Sequence, residues 1–392
     1  MKKILIIVAI LVFAAVFGWN KLKGVINTQT ATQLFVEGPK KDLIENLPQG
    51  GQLSIPLNVP SGFKLGLFAD LGSGLPRVLE FDPKGTLFAS IPAQGKVVAL
   101  PDENKDGVSD RTIDVLTGLN RPHGIAFAAG KIFIGESDKV VKYDYDPGSF
   151  GVSNRQVLFP LPSGGRHFTR TIKVHEDKLY TSVGSSCDTC VEDDSQRSTV
   201  LVSGVDGSGL RVFAKGLRNT VFFVFDKDGR IWGNDMGRDF LGDNLPPDEL
   251  NIIEDGKDYG WPFCYGDRVR DSQFMGGTNL DYCNQTTPPA FKYPAHIAPL
   301  GLSFIDSSLF GKDDQGDILS SFHGSWNSSA PVGYKIVKLN VQGGRVTGME
   351  DFITGFIKGG EVLGRPVDVV FAENGTLFIS DDKAGAIYIL TK

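Results

Sequence analysis

The chain has 392 residues, with 40 basic and 46 acidic side chains. Its net charge of −6 offers no basic surplus for a nucleic-acid backbone. Hydrophobic residues at 41% and charged residues at 22% exclude wholesale disorder, and 48 glycines, 21 prolines and 27 phenylalanines favour short strands and tight turns over a helical bundle.

The first predicted element is N-terminal. Lys2 and Lys3 precede an apolar run from Ile4 to Gly18, followed by Trp19, Lys21 and Lys23. A short basic segment before such a run is the pattern of an export signal. The run falls a little short of the ~20 residues of a membrane span. No A-x-A-type cleavage site follows and no cysteine lies nearby, so residues 1–20 read as a signal peptide or a retained N-terminal anchor helix. Either way the protein is expected to be exported to a periplasmic or extracellular face, touching a membrane only through this segment. Residues 21–52 read as a linker, and residues 53–392 as the domain.

Within the domain one unit recurs: an apolar strand, a polar turn, then a strand carrying an aromatic. It spans residues 78–90, 124–135, 171–182, 221–234 and 367–380. Phe88, Phe133, Tyr180 and Trp232 follow one another at intervals of 45, 47 and 52 residues. A sixth unit is supplied by residues 300–304 and 316–322, and the stretches 238–297 and 306–316 read as loops. Strand pairs at this spacing predict an all-β, six-bladed β-propeller, in which residues 63–68 could close the last blade.

Four cysteines in an exported chain suggest two disulfides, most simply Cys187 with Cys190 and Cys264 with Cys283. A four-thiolate zinc site lacks its second C-x-x-C, and a thioredoxin-like pair lacks a βαβ setting.

The loops leading into the strand pairs carry Arg121 and His123, then Arg166, His167 and Arg170, then Arg218 and Asn219, then His296, then Arg365. His323 and Trp326 follow the fifth pair. Matched positions of a propeller converge on its axis, so these residues predict one pocket suited to a small polyanion, with histidine available as general base. His175 lies in a turn and reads as solvated. Asp102, Asn104, Asp106 and Asp110 form D-x-N-x-D-G-x-x-D, the oxygen spacing of a calcium loop.

The motifs RPHGIAF, GGRHFTRTI, GLRN, GRDFLGDNLPPDELN, HGSWN and RPVDVVF together resemble the soluble quinoprotein glucose and sorbosone dehydrogenases, over residues 55–392 and most closely the sorbosone dehydrogenase-like branch. That resemblance implies a propeller using pyrroloquinoline quinone (PQQ) and calcium to oxidise an aldose or aldehyde-sugar. It implies hydride passage from sugar C1 to PQQ C5, with His167 as catalytic base and Arg218 and Asn219 on the quinone oxygens. Arg365 matches an arginine for a PQQ carboxylate, Arg170, His123, His323 and Trp326 fall near the cofactor, and the carbonyls of Gly237 and Arg238 match calcium ligands. His167 and Arg170 are three apart rather than four, and Val367 and Ser328 stand where relatives carry arginine. The partners implied are a small sugar and an electron acceptor of unspecified kind. The competing readings are a calcium-dependent propeller lactonase or esterase, and a non-catalytic propeller that binds glycans or proteins.

Overall fold

Valine, isoleucine and phenylalanine alternate with polar residues between Gly-, Asp- and Asn-rich turns, a pattern that folds as short strands with one buried face. The computed structural model describes residues 49–274 and 281–392. These form six four-stranded antiparallel sheets, so the six-bladed propeller read from the repeats is borne out. The innermost strands are Leu79–Phe81, Gly124–Ala128, Ile172–His175, Thr220–Phe225, Pro299–Phe304 and Pro366–Phe371. Residues 1–48, which hold the predicted signal or anchor helix and most of the linker, lie outside the described residues. Among the described residues no helix is long and apolar enough to cross a membrane.

The recurring aromatics sit at the seams between blades. Phe88 meets Phe127 of the next blade's inner strand edge-on at 5.1 Å, Tyr180 meets Phe225 at 5.2 Å, Trp232 meets Phe304 at 5.8 Å, and Phe378 meets Phe81 at 5.5 Å. Edge-to-face pairs of this kind add about 0.5–1.5 kcal/mol to the area they bury. The repeat thus records where each blade grips its neighbour.

Closure comes from the start of the domain. Lys64–Asp70 pairs antiparallel with Ala386–Thr391, Lys64 opposite Thr391, and becomes the outermost strand of the sixth blade. The ring leaves that blade no missing strand.

Two expectations need correction. The stretch 238–297 is not all loop: Glu249–Ile253 is the third strand of blade 4 and Phe291–Lys292 its fourth. Buried Glu249 and Asn251 put polar side chains into what is elsewhere a mostly apolar inner run, and the fourth strand is two residues long, so neither stands out by pattern. His175 ends a strand and stacks on Phe225, 4.2 Å between ring centres, rather than lying free in solvent. Both predicted disulfides are present, Cys187–Cys190 and Cys264–Cys283.

In an antiparallel blade the lead-in loops and the loops between second and third strands emerge on one face. The remaining turns emerge on the other. The first face is the mouth on which the site is built.

Candidate active site

A cavity of about 350 Å3 opens on that face, within the usual range for a small ligand. Its wall takes Arg166 and His167 from the lead-in to blade 3, Arg218 and Asn219 from the lead-in to blade 4, and Met236, Gly237 and Asp239 from the loop after Ile231–Asp235. Blade 5 adds His296, Ala298, His323, Trp326 and Asn327, and the lead-in to blade 6 adds Arg365.

His167 is oriented by its own neighbours. Nδ1 lies 3.0 Å from the Ser185 carbonyl and 2.8 Å from Ser185 Oγ. The Ser185 hydroxyl donates to the Cys187 carbonyl at 2.8 Å, so both oxygens facing Nδ1 act as acceptors. Nδ1 therefore carries the proton, leaving the Nε2 lone pair on the pocket side. Burial, and then the nearby Arg218 charge, push the imidazole pKa down to about 3. The ring is neutral at any ordinary working pH, as a general base must be.

Arg218 and Asn219 are set by one buried carboxylate. Asp235 accepts the Arg218 N–H at 3.0 Å, the Asn219 N–H at 2.8 Å and the Thr220 hydroxyl at 2.9 Å. Burial still raises Asp235 to about 6 against those bonds. The Arg218 fork donates from Nε to the Asp188 carbonyl at 2.9 Å and from Nη2 to Asp188 Oδ1 at 2.8 Å, with Asp239 Oδ2 at 3.5 Å. Gly184 is what lets His167 and Asn219 come together. A Cβ there would stand 2.5 Å from Asn219 Oδ1 and 2.8 Å from His167 Cβ.

The far wall is equally constrained. Arg365 donates from Nε to the His323 carbonyl at 3.2 Å and from Nη2 to the Gly324 carbonyl at 2.7 Å, leaving Nη1 without a protein partner among the described residues. Gly324 has φ +100° and packs against the Tyr334 ring, where any Cβ would fall 2.4 Å from the ring carbons. Asp248 accepts Gly237 N–H at 2.7 Å and Ala298 N–H at 3.0 Å, holding Ala298 in a left-handed conformation at φ 51°. Burial lifts Asp248 to about 7. Burial together with the Asp235 charge lifts Glu249, which borders the adjoining small cavity, to about 8.

At the rim, Phe240 and Trp326 are each 63% exposed and meet edge-on at 5.9 Å. Phe240 adopts φ 66°, a conformation unfavourable for a bulky residue and most often kept at functional sites. The two loops are tied by Asn327 Nδ2 donating to Asp239 Oδ1 at 2.6 Å.

Not every predicted residue reaches the wall. Arg170 turns inward and satisfies the carbonyls of Thr169 at 2.7 Å, Pro162 at 2.7 Å and His167 at 3.1 Å. It braces the His167 loop instead of facing the cavity. His123 is fully buried, with Nδ1 3.1 Å from Thr171 Oγ1 and its ring edge-on to Phe222. Both are fully buried and absent from the cavity wall. The Arg238 side chain bonds Asp271 at 2.6 Å behind the wall, whereas Gly237 lies on it.

The loop of Asp102, Asn104, Asp106 and Asp110 joins the third and fourth strands of blade 1, on the face opposite the mouth. Asp102 accepts the N–H groups of Asp106 and Gly107 at 3.1 and 2.9 Å, Asn104 accepts the Asp106 N–H at 3.0 Å, and Asp110 accepts the Glu103 N–H at 2.6 Å. Its three carboxylates do not gather within 4.8 Å of one another. Arg166 and His296 lie on the wall as their lead-in loops predict, whereas Asp239, Asp248 and Asn327 stand in the sequence only as members of longer motifs, with nothing to mark them as wall residues. Asp188 is distinguished in the sequence only by standing between Cys187 and Cys190.

The TrAA12-like family profile matches residues 57–392. The chain belongs to the TrAA12-like family. Among its relatives is an uncharacterised protein of Borreliella burgdorferi, 29% identical over 86% of this chain and 91% of that one. Another is a pyrroloquinoline quinone-dependent pyranose dehydrogenase of Coprinopsis cinerea, 25% identical over 88% of this chain. This chain spans 56% of the length of that enzyme. The solved PQQ domain of a C. cinerea pyranose dehydrogenase superimposes with a TM-score of 0.75 at 24% identity, over 88% of this chain and 99% of that domain. A Trichoderma reesei family AA12 enzyme in a calcium structure gives 0.76 at 22% identity, over 87% and 98%. The motif resemblance to quinoprotein sugar dehydrogenases is thus borne out, and these two solved structures share the fold.

Proposed function

We propose that this protein is a PQQ- and calcium-dependent sugar dehydrogenase, oxidising a pyranose or another aldose, or an aldehyde-sugar such as sorbosone, with His167 as general base. The observation that carries this reading is His167 itself: neutral, Nδ1 anchored on Ser185, and Nε2 open to a cavity walled by Arg218, Asn219 and Arg365.

The donor set fits the cofactor. PQQ is a planar tricarboxylate, and Arg365 Nη1 is a guanidinium nitrogen free for a carboxylate, while Arg218 and Asn219 stand beside His167 for the quinone oxygens. Among the described residues, His, Cys, Asp and Glu ligand atoms gather in threes within 4.8 Å only at Cys187, Cys190 and Glu192. A calcium ion at the mouth therefore suits backbone carbonyls, with those of Gly237 and Arg238 as candidates, supplemented by the cofactor's own oxygens. When bound, PQQ supplies a two-electron acceptor for hydride. His167 Nε2 takes the hydroxyl proton of the sugar carbon being oxidised. The Arg218 charge stabilises negative charge developing opposite it. Phe240 and Trp326 offer apolar ring faces to a sugar entering the mouth, and the hydroxyls can bond Arg166 and Asp239.

Export remains part of this proposal, on the strength of the N-terminal pattern. The test is to titrate purified protein with PQQ and calcium while following the quinone absorbance, then to add pyranoses and aldoses with a reducible dye. Binding followed by dye reduction is expected; absence of quinone binding overturns the reading.

A further inference from the structure

We propose that the Cys187–Cys190 disulfide is a clasp that presents Asp188 to Arg218, making Asp188 a positioning residue of the site and the site sensitive to thiol reductants. The inference rests on the pocket being the dehydrogenase site argued above.

Asp188 occupies the two-residue span between the bridged cysteines. Its backbone carbonyl accepts Arg218 Nε at 2.9 Å, and its Oδ1 accepts both Arg218 Nη2 and the Asp239 N–H at 2.8 Å. One short segment therefore bonds the guanidinium twice and the neighbouring wall loop once. It also reaches the base. Ser185, which meets His167 Nδ1, donates its hydroxyl to the Cys187 carbonyl. On its other side Ser186 gives its N–H and hydroxyl to the Glu192 carboxylate, each at 2.7 Å.

Residues 184–198 join two strands without belonging to any sheet, so no ladder holds them. The disulfide is the covalent constraint that keeps Asp188 under Arg218. Cys187 and Cys190 are only partly buried, within reach of a small thiol, whereas Cys264 and Cys283 are each 5% exposed. A dithiol such as dithiothreitol delivers two electrons and two protons to the clasp. Its thiolate forms a mixed disulfide, then closes to its own cyclic disulfide and leaves two cysteine thiols. The freed loop no longer fixes Asp188, and Arg218 loses both bonds.

The full chain is compared as wild type, as Asp188→Asn, as Cys187→Ser with Cys190→Ser, and as Cys264→Ser with Cys283→Ser. Readouts are modification of Arg218 by phenylglyoxal mapped by mass spectrometry, PQQ affinity, and sugar turnover. Asp188→Asn and the Cys187/Cys190 variant should label Arg218 several-fold faster and lose about 10–100-fold in turnover, the range seen when the partner that orients a functional group is removed. Sugar KM should change far less. The Cys264/Cys283 variant should keep Arg218 shielded even where its melting temperature falls. Dithiothreitol on wild type should reproduce the Asp188→Asn labelling, which decides the matter should the Cys187/Cys190 variant not fold. Arg218 equally shielded in Asp188→Asn and in reduced wild type overturns the clasp. Failure of wild type to bind PQQ would instead sink the functional reading, while the labelling still judges the clasp.

Discussion

His323 Nε2 lies 2.8 Å from Oδ1 of Asp382, tying the pocket loop of blade 5 to that of blade 6. The other oxygen of Asp382 receives Arg77 Nη1, from the loop that leads into blade 1. Burial alone would raise the Asp382 pKa, but His323, Arg77 and Arg365 outweigh it and hold the carboxyl at about 2, against 3.8 for an ordinary aspartate. A pKa depressed on folding contributes stability that is present above about 4 and lost as the pH falls toward 2. Asp382→Asn should therefore cost on the order of 2 kcal/mol at pH 7. In urea melts the difference between variant and wild type should shrink through pH 4 and close by pH 2; a difference independent of pH would contradict the linkage.

A second expectation concerns the base. His167→Ala should leave PQQ affinity within a few-fold and lower turnover by ~10²–10⁴-fold. Because burial and Arg218 depress its pKa to about 3, the ring stays in its base form well below pH 6.5. The pH profile of kcat/KM should consequently show no unit-slope fall beginning near 6.5. Such a fall, absent from the residual activity of His167→Ala, would show the imidazole titrating as it does in water.

Gly184→Ala tests the close approach of His167 and Asn219. The new methyl must displace Asn219 Oδ1 from 2.5 Å and His167 Cβ from 2.8 Å. Overpacking of this kind typically costs about 1–3 kcal/mol. Turnover should fall by at least about tenfold, a misplacement cost for groups held at reacting distance. Melting temperature and turnover measured together would detect both; an alanine variant with wild-type turnover would show that the two residues need not abut.

Loss of the Cys264–Cys283 bridge should act on stability alone. It spans 19 residues, for which loop-closure entropy gives about 3 kcal/mol. Cys264→Ser with Cys283→Ser should lower the urea midpoint accordingly while turnover well below the melt remains near wild type.

Much of the ring was legible in the sequence because the residues that repeat are those at the seams: Phe88, Tyr180, Trp232 and Phe378 each face the next blade. Blade 4 was legible only by half. Its third strand buries Glu249 and Asn251, so the pattern that marks other strands is missing where polar groups border the site. Motifs located His167, Arg218, Asn219 and Arg365 on the mouth, because loop identity follows from blade order. They could not tell that Arg170 and His123 turn into the protein, since that direction is set by the Pro162 carbonyl and the Phe222 ring, partners brought to them only by the fold. Asp188 and Asp248 were invisible for another reason: each acts by accepting bonds from distant loops, a relationship that exists only once the chain has closed.

The pairing of Lys64–Asp70 with Ala386–Thr391 also fixes an order of events. The strand made first in the domain waits for the strand made last, and this non-local contact must be bought with the loop entropy of nearly the whole chain. Arg365 and the His323–Asp382 tie belong to the blades that close last, so a nascent chain has half a pocket and no finished wall. Any ligand that needs the whole wall therefore finds its site only on a chain whose last blade has closed on its first strand.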